Sequence, residues 1–169
     1  MKKKDDFKSV EILVDKNNNL AIFPKGKVLN TQETSNVKFL PSVFQYEVSM
    51  PYSVKELAKK IEYAFNDWCV YDAFCDRKKT YEENYYEIKG FKNAMKGKKL
   101  ISMGWNDIEG KYISLLLPCK TGYSYITIKE IKLSDNANSF DYAKSVVDLI
   151  NADLNEFSAY KTYKNMLNI

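Results

Sequence analysis

The sequence predicts an α+β fold, in which an antiparallel sheet packs against two long amphipathic helices. Three apolar runs between residues 99 and 133 are rich in β-branched and aromatic residues, and loops containing Gly, Pro, Asn and Asp separate them. This pattern is typical of a three-stranded antiparallel meander. Two further segments, 54–68 and 140–157, repeat apolar residues at helical spacing. The sheet is expected to consist of an N-terminal hairpin and this central meander.

The first third of the chain predicts the hairpin and one more strand. The predicted elements are strands at 10–14, 20–23 and 43–49 and a polar loop at 26–36. Three asparagines at 17–19 are expected to form the hairpin turn, because Asn tolerates the left-handed backbone conformation. Pro24 is expected to end the second strand, since proline has no N–H to donate to a sheet. In the third strand, Phe44, Tyr46 and Val48 share one face.

The two long helices carry start signals. Ser53 is expected to be the N-cap of the first helix, and Glu56 completes a capping box. Its apolar stripe is Val54, Leu57, Ala58, Ile61, Ala64, Phe65 and Trp68. Ser139 is expected to cap the second helix. Its stripe is Ala143, Val146, Val147, Ile150, Leu154 and Phe157. The elements predicted between these helices are a short helix at 80–88, meander strands at 99–103, 111–117 and 123–133, and a loop with Asn106, Asp107 and Gly110.

Length and composition predict the general class of protein. At 169 residues the chain is expected to be one domain, 1–169, with frayed ends at 1–8 and over the last few residues. No run of about 18 apolar residues is present, so no membrane-spanning helix is expected. Acidic residues directly follow the basic start of the chain, which argues against a secretory signal. Cys69, Cys75 and Cys119 form no Cys-x-x-Cys motif, so we expect reduced thiols in a cytoplasmic protein.

The composition also argues against most common kinds of catalytic site. The chain has no histidine, which is the commonest general base and activator of nucleophiles. Three scattered cysteines do not predict a zinc site, and none of the six glycines has the spacing of a phosphate-binding loop. Carboxylate pairs remain, at Glu82 and Glu83 or at Asp72 and Asp76, but adjacent surface acids are more often solvated than catalytic. We therefore expect no enzyme activity, no cofactor and no metal.

Segment 77–99 combines tyrosines with basic residues, with eight Lys and Arg against three Glu. Such a segment suits a protein interface, because Tyr brings a large contact area and a polar tip. As an alternative, its rings could stack on bases while its lysines contact phosphates, giving a small nucleic-acid-binding module. The lysines of this alternative are Lys78, Lys79, Lys89, Lys92, Lys96, Lys98 and Lys99. Plain packing in the core or on the surface is a third interpretation.

The order of these elements resembles the immunity proteins of bacterial contact-dependent growth inhibition systems. A strand ending near Met50 precedes the capped helix, and a Tyr-rich stretch with Gly90-Phe91-Lys92 follows it. The apolar strand that ends in Pro118 and the Lys-Gly-Phe-Lys sequence at 89–92 are the main anchors of the resemblance. The resemblance covers roughly residues 40–155.

The resemblance implies a cytoplasmic antitoxin without catalysis. Such proteins bind a toxin's C-terminal domain, usually a nuclease, and block its active site. The expected partner is therefore this toxin domain, with no membrane and no nucleic acid, and a monomer is favoured. Immunity proteins often present acids to a basic cleft, and the net charge of +4 departs from that pattern. The residues expected at the toxin interface are Asp72, Asp76, Tyr81, Glu82, Glu83, Tyr85 and Tyr86.

Overall fold

A computed structural model describes residues 7–28, 38–106 and 108–167, and its mixed architecture confirms the predicted α+β class. The strands are β1 (Phe7–Val14), β2 (Leu20–Val28), β3 (Lys38–Pro41), β4 (Tyr46–Val48), β5 (Lys99–Asn106), β6 (Gly110–Pro118) and β7 (Tyr125–Lys132). The helices are α1 (Val54–Asn66), α2 (Tyr81–Tyr86), α3 (Phe91–Ala94), α4 (Ser139–Asn151) and α5 (Ser158–Leu167). Within the described ranges, no helix is both long enough and apolar enough to cross a bilayer.

The predicted hairpin and the predicted meander are joined into one antiparallel sheet. Its strand order is β3-β2-β1-β5-β6-β7, and β4 pairs with β2 beside β3. The junction is the pairing of β1 with β5, which runs from Phe7 opposite Asn106 to Val14 opposite Lys99. Asp107, which was predicted in the loop after β5, lies outside the described residues.

The prediction that Pro24 ends the second strand is wrong, because β2 continues to Val28. The first part of β2, Leu20 to Ile22, pairs with β4, and its last part, from Lys25, pairs with β3. Pro24 lies between these two partners, and its carbonyl accepts the N–H of Ser42. Its nitrogen faces the same gap, where no ladder bond is required, so proline is tolerated. The predicted loop therefore cannot begin at residue 26, and positions 29–36 of it lie outside the described residues.

The strand predicted at 43–49 is present only in part, as β4, and the chain before it forms the separate strand β3. Between them the Ser42 hydroxyl accepts the N–H of Phe44 and donates to its carbonyl, which turns the chain. Val43 bonds instead to the carbonyl of Asp72, in the segment after α1. Phe44 stacks on Tyr71, with ring centroids 4.6 Å apart. Phe44 therefore lies outside β4, and its ring contacts Tyr46 edge to face, with centroids 5.0 Å apart.

One face of the sheet packs on α1 and α4, as the two apolar stripes predict. Alternate residues of the central strands point to this face, and Leu57, Ile61, Val146 and Ile150 cover them from the helices. The fully buried members from the strands are Val10, Ile12, Val14, Ile22, Ile101, Met103, Ile113 and Leu115. This layer matches the predicted sheet packed against two long amphipathic helices.

The ends of both long helices differ in part from the prediction. The Ser53 hydroxyl accepts the N–H of Glu56 as expected, but among the described residues the return bond from the Ser53 N–H to the Glu56 side chain, which would complete the predicted capping box, is not formed. Helix α1 ends at Asn66, and Trp68 lies against the rings of Phe7 and Phe39 instead of in the stripe. The N-cap of α4 is Asn138 and not Ser139. Asn138 forms a full capping box with Asp141, since an Asn side chain accepts helix N–H groups as well as Ser does. The chain then leaves the helix at Ala152 and continues, through a 3₁₀ turn, into α5.

The opposite face of the sheet carries a layer that the two-helix prediction omitted. The predicted helix at 80–88 is present as α2, and α3 follows it. Both cover a second apolar cluster formed by the residues that alternate with the first face. Its buried members are Leu13, Ala21, Phe23, Phe91, Met95 and Leu100. The Tyr-rich segment is therefore anchored on the sheet.

Candidate functional site: a tyrosine-lined cavity beside α2

A cavity of about 390 Å³ opens between this second face of the sheet, the start of α2 and the β6–β7 loop. Strands β1 and β2 contribute Glu11 and Lys25, and α2 contributes Tyr81 and Glu82. The segment before α2 contributes Asp76 and Lys79 to the lining. The aromatic lining residues from α3 and from the β6–β7 hairpin are Phe91, Tyr123 and Tyr125. We call this site the α2 cavity.

Hydrogen bonds and one ion pair organise the polar groups of the α2 cavity. The Tyr81 hydroxyl donates to the Glu11 carboxylate at 2.8 Å, and the Lys25 ammonium lies 2.7 Å from the other oxygen of that carboxylate. The Tyr125 hydroxyl donates to Glu82 at 2.5 Å. Glu82 is only 3% exposed, although it is an ionisable residue in a surface helix. Two of the three carboxylates that line the cavity, Glu11 and Glu82, are therefore each held by a tyrosine.

Burial controls the ionisation of these groups. Desolvation raises the pKa of Glu82, and the nearby Glu11 charge acts in the same direction, against the Tyr125 hydrogen bond. Burial raises the pKa of Tyr125 and of Tyr81 far above the ordinary value of 10.0, with the carboxylates beside them adding to the effect. Both phenols therefore remain protonated donors. A buried acid with a raised pKa in a concave site is a candidate functional group.

Aromatic rings form one wall of the α2 cavity. Phe91 contacts Tyr125 edge to face, with centroids 5.3 Å apart, and Tyr123 at 5.9 Å. Tyr123 is 75% exposed, so this wall reaches the surface at the mouth of the cavity. Such a wall can bind an apolar or cationic group through ring contacts.

The neighbouring acid, Glu83, serves the backbone instead of the cavity. Its two carboxylate oxygens accept the N–H groups of Thr80 at 3.0 Å and of Gly90 at 2.6 Å. Together with the bond from the Glu83 N–H to the Thr80 hydroxyl, this forms a capping box that also ties the start of α3 to α2. These N–H bonds lower the pKa of Glu83. Adjacent residues of one helix thus have opposite pKa shifts.

The structure brings together three of the seven predicted interface residues. Asp76, Tyr81 and Glu82 line the α2 cavity. The remaining four lie around it or beyond it. Glu83 caps α2, the Tyr85 hydroxyl donates to Glu47 at 3.0 Å, Tyr86 lies under the ammonium of Lys98, and Asp72 is exposed in the segment after α1. The role of all seven in binding stays a prediction.

Sequence reasoning missed the sheet residues and two of the aromatic residues of the α2 cavity. Glu11 was detectable, because it interrupts the apolar run of β1 and no neighbouring residue in the sequence explains it. Its pairing with Lys25 depends on the β1–β2 register, in which Val10 lies opposite Pro24. Tyr123 and Tyr125 carried only a strand signal, since their approach to Phe91 is a long-range contact.

The seven lysines of the nucleic-acid alternative do not form one surface. Lys98 lies on the second face, where its ammonium donates to the carbonyl of Ala94 and sits 4.0 Å from the centre of the Tyr86 ring. Lys99 points to the first face and donates to the carbonyl of Ile150 at 3.2 Å. Two of the seven ammonium groups are thus engaged on opposite sides of the sheet. A continuous phosphate-binding track through them is not formed.

The described part of the chain contains no group of three or more Cys, Asp or Glu side chains arranged to hold a metal ion. Neither predicted carboxylate pair is brought together for catalysis, since the Glu83 oxygens are taken by N–H groups and Asp72 lies outside the cavity lining. The arrangement is suited to binding: a concave surface with tyrosines, one ion pair and two further carboxylates, Glu82 and Asp76.

No protein-family model matches the chain, and no curated protein matches it. Two of the solved structures that share its fold are bacterial. A chain of the CdiA-CT/CdiI toxin and immunity complex from Yersinia pseudotuberculosis matches with a TM-score of 0.55 at 11% sequence identity, over 83% of this chain and 94% of that one. A protein of unknown function from Neisseria meningitidis matches with a TM-score of 0.52 at 7% identity, over 89% of this chain and 97% of that one. At these identities the likeness shows the fold.

Proposed function

We propose that this protein is a cytoplasmic, non-catalytic immunity protein that binds a cognate toxin domain and blocks its active site. The observation that carries the proposal is the fold likeness, over 83% of the chain, to a chain of a toxin and immunity complex. The sequence resemblance to the immunity proteins of contact-dependent growth inhibition points to the same class independently of that comparison. The absence of histidine from the chain agrees with a protein that acts by binding.

The toxin domain that we propose is a nuclease, whose cleft for nucleic acid would carry basic residues. The mouth of the α2 cavity offers groups that suit such a partner. Asp76 and Tyr123 line the cavity, Asp76 as an exposed carboxylate and Tyr123 with most of its ring in solvent, and Asp72 adds an exposed carboxylate outside the cavity lining. Tyrosines with neighbouring acids are typical of binding hot spots facing a basic protein surface. We therefore propose the α2 cavity and its rim as the toxin-binding surface.

Glu82 and Glu83 lie beneath this proposed surface and are not exposed on it. They are 3% and 7% exposed, so a partner reaches Glu82 only through the cavity and Glu83 hardly at all. Tyr81, Tyr85 and Tyr86 are half-buried and fix the shape of α2 through their packing on the sheet. Their contribution to affinity would be to hold the rim rigid before binding.

The first test mixes the purified protein with the C-terminal domain of the protein encoded directly upstream, followed by size-exclusion chromatography. We expect a stable stoichiometric complex and loss of the partner's toxicity. If the two proteins elute separately at micromolar concentration and toxicity is retained, the immunity proposal for this pair is wrong.

A matched pair of variants tests the surface. Tyr123→Ala removes an exposed ring at the cavity mouth, and Phe140→Ala removes an exposed ring on α4, on the other face of the sheet. Hot-spot residues cost more than about 1 kcal/mol on truncation, so Tyr123→Ala is expected to raise Kd by at least about fivefold. Phe140→Ala should leave Kd unchanged. The reverse result would place the toxin on the helix face.

A further inference from the structure

We infer that the α2 cavity is a binding site for the side chain of a lysine or an arginine, which sits between the aromatic wall and the Glu82 carboxylate. The identity of the donor of that side chain, the toxin, rests on the proposed function. The site itself follows from the charges, the burial and the shape of the cavity.

The charged residues that line the cavity leave one carboxylate without a cation. Glu11 is neutralised by Lys25 at 2.7 Å, and Asp76 and Lys79 are both exposed at the mouth, where solvent screens them. Glu82 remains, and in the described ranges it forms no ion pair. A carboxylate buried without a cation is costly to a fold, and hydrogen bonds from the Tyr125 hydroxyl, the Thr80 hydroxyl and the backbone N–H of Glu82 offset only part of that cost. An incoming cation would complete the charge balance.

The aromatic wall suits the same ligand. Tyr123 and Tyr125 both contact Phe91 edge to face, with ring centroids 5.9 Å and 5.3 Å from that of Phe91, and Tyr123 extends this wall to the solvent. A ring face attracts an ammonium or a guanidinium within about 6 Å. The aliphatic stem of Lys or Arg would lie along the rings while its charged end reaches the carboxylate. The volume of about 390 Å³ falls in the range of about 300–1,000 Å³ found for small-ligand sites.

Other ligand classes fit less well. An anion would meet Glu82 and Glu11 inside the cavity, and a neutral group would leave the Glu82 charge uncompensated. An exposed cation alone on the outer surface would gain little, because surface ion pairs contribute only about 0–1 kcal/mol. Because Glu82 is buried, we expect a cation to bind with much higher affinity than its neutral analogue.

Occupation by a cation should be linked to a proton. The groups that face Glu82 are the Tyr125 hydroxyl from β7, the Thr80 side chain before α2 and the Glu11 carboxylate from β1, which is paired with Lys25 of β2. Burial raises the pKa of Glu82, and a bound cation would lower it again. Binding therefore releases a proton, and affinity should fall as the pH drops and Glu82 becomes protonated.

The site can be tested on the isolated protein with methylguanidinium, using methylurea as a neutral probe of nearly the same shape. We expect methylguanidinium to shift the ring resonances of Tyr123 and Tyr125 in NMR spectra and to lower the pKa read from the Glu82 carboxyl carbon. Methylurea should do neither. Glu82→Gln keeps the side-chain shape and an oxygen for the Tyr125 hydroxyl, and it should abolish the response. Glu62→Gln makes the same chemical change on an exposed position of α1 and should bind like the wild type.

Two results would overturn the cation site: no response to methylguanidinium at any pH between 5 and 8, or an equal response to methylurea. Thermal unfolding of Glu82→Gln verifies that the variant is folded, so loss of the response is not confused with loss of structure. In the toxin complex, Glu82→Gln should raise Kd at least fivefold while Glu62→Gln does not.

The two proposals fail separately. A toxin complex that is indifferent to Glu82→Gln, with no methylguanidinium response, refutes the cation site and leaves the immunity function standing. A methylguanidinium response without any toxin complex refutes the immunity function for that partner and supports the cation site.

Discussion

Glu83→Gln is expected to lower the free energy of unfolding by about 2–4.5 kcal/mol, although the substitution replaces a single oxygen with an NH₂ group. The carboxylate accepts two backbone N–H groups, from Thr80 at 3.0 Å and from Gly90 at 2.6 Å, one on each oxygen. Gln replaces one oxygen with an NH₂ group, so one N–H loses its acceptor and the other keeps a neutral one. Hydrogen bonds to charged groups contribute about 1.5–3 kcal/mol each, and neutral ones about half as much. For a chain of this size the loss corresponds to a Tm about 4–18 °C lower.

Glu82→Gln is the matched control for this prediction, because it makes the same change one residue earlier in α2. Its oxygen can still accept the Tyr125 hydroxyl, and it removes a buried carboxylate that has no cation. At pH 7 its free energy of unfolding should equal or exceed that of the wild type. Urea unfolding followed by circular dichroism measures both variants. If Glu83→Gln stays within about 0.5 kcal/mol of the wild type, the Glu83 bridge between α2 and α3 does not stabilise the fold.

The pH dependence separates this electrostatic effect from packing. The pKa of Glu83 is lowered from its ordinary value of 4.5 in the folded state. Its stabilisation is therefore complete above pH 4.5 and is lost as the pH falls through the lowered folded-state pKa. The difference between the wild type and Glu83→Gln should shrink over that acidic range. A difference that is constant from pH 7 down to pH 3 would show that shape, and not charge, explains the loss.

Three further predictions concern other parts of the chain. Gly26→Ala should lower the free energy of unfolding by about 1–3 kcal/mol, because a Cβ at this position would lie 2.5 Å from the carbonyl oxygen of Tyr71; an unchanged urea midpoint would contradict that close approach. Asn138→Ala should cost about 0.5–2 kcal/mol and speed hydrogen exchange in the first turn of α4, whose N–H groups it caps; normal protection there would refute the capping role. Glu82 has a raised folded-state pKa, so the stability that it contributes below pH 4.5 is lost as the pH rises through that pKa, and Glu82→Gln should remove this part of the urea-measured pH profile.

The elements that the sequence predicts well are those with local signals. The Asn turn at 17–19, the cap at Ser53 and the Gly and Pro residues around the meander each act on neighbouring residues, so the hairpin, α1 and three adjacent strands could be predicted. The continuation of β2 past Pro24 could not, because it depends on two separate strands that share its outer edge. Proline is a strand breaker only where its missing N–H faces a partner.

The candidate site shows the same division. Asp76 and Tyr81 were selected from a residue pattern within one segment, and the structure places both at the cavity. Glu11 and Lys25 meet at the cavity because of the register between β1 and β2. The alternating pattern of one strand does not show this register until the neighbouring strand is known. The sequence predicts α2 as a helix at 80–88, but helices of six and four residues, such as α2 and α3, carry too few turns for a period that would show which face packs on the sheet. The layer that encloses the cavity therefore could not be predicted.

Lys98 and Lys99, the pair that leads into the meander, fasten the two helical layers from a single point in the chain. The Lys98 ammonium donates to the carbonyl of Ala94 at the end of α3. The Lys99 ammonium donates to the carbonyl of Ile150 in the last turn of α4, on the opposite side of the sheet. A slip of β5 by one residue would exchange the two sides, and both helix ends would lose their cation in the same step. The two lysines thus favour the native register of β5, because a misaligned strand would lose a hydrogen bond in each helical layer in addition to its core contacts.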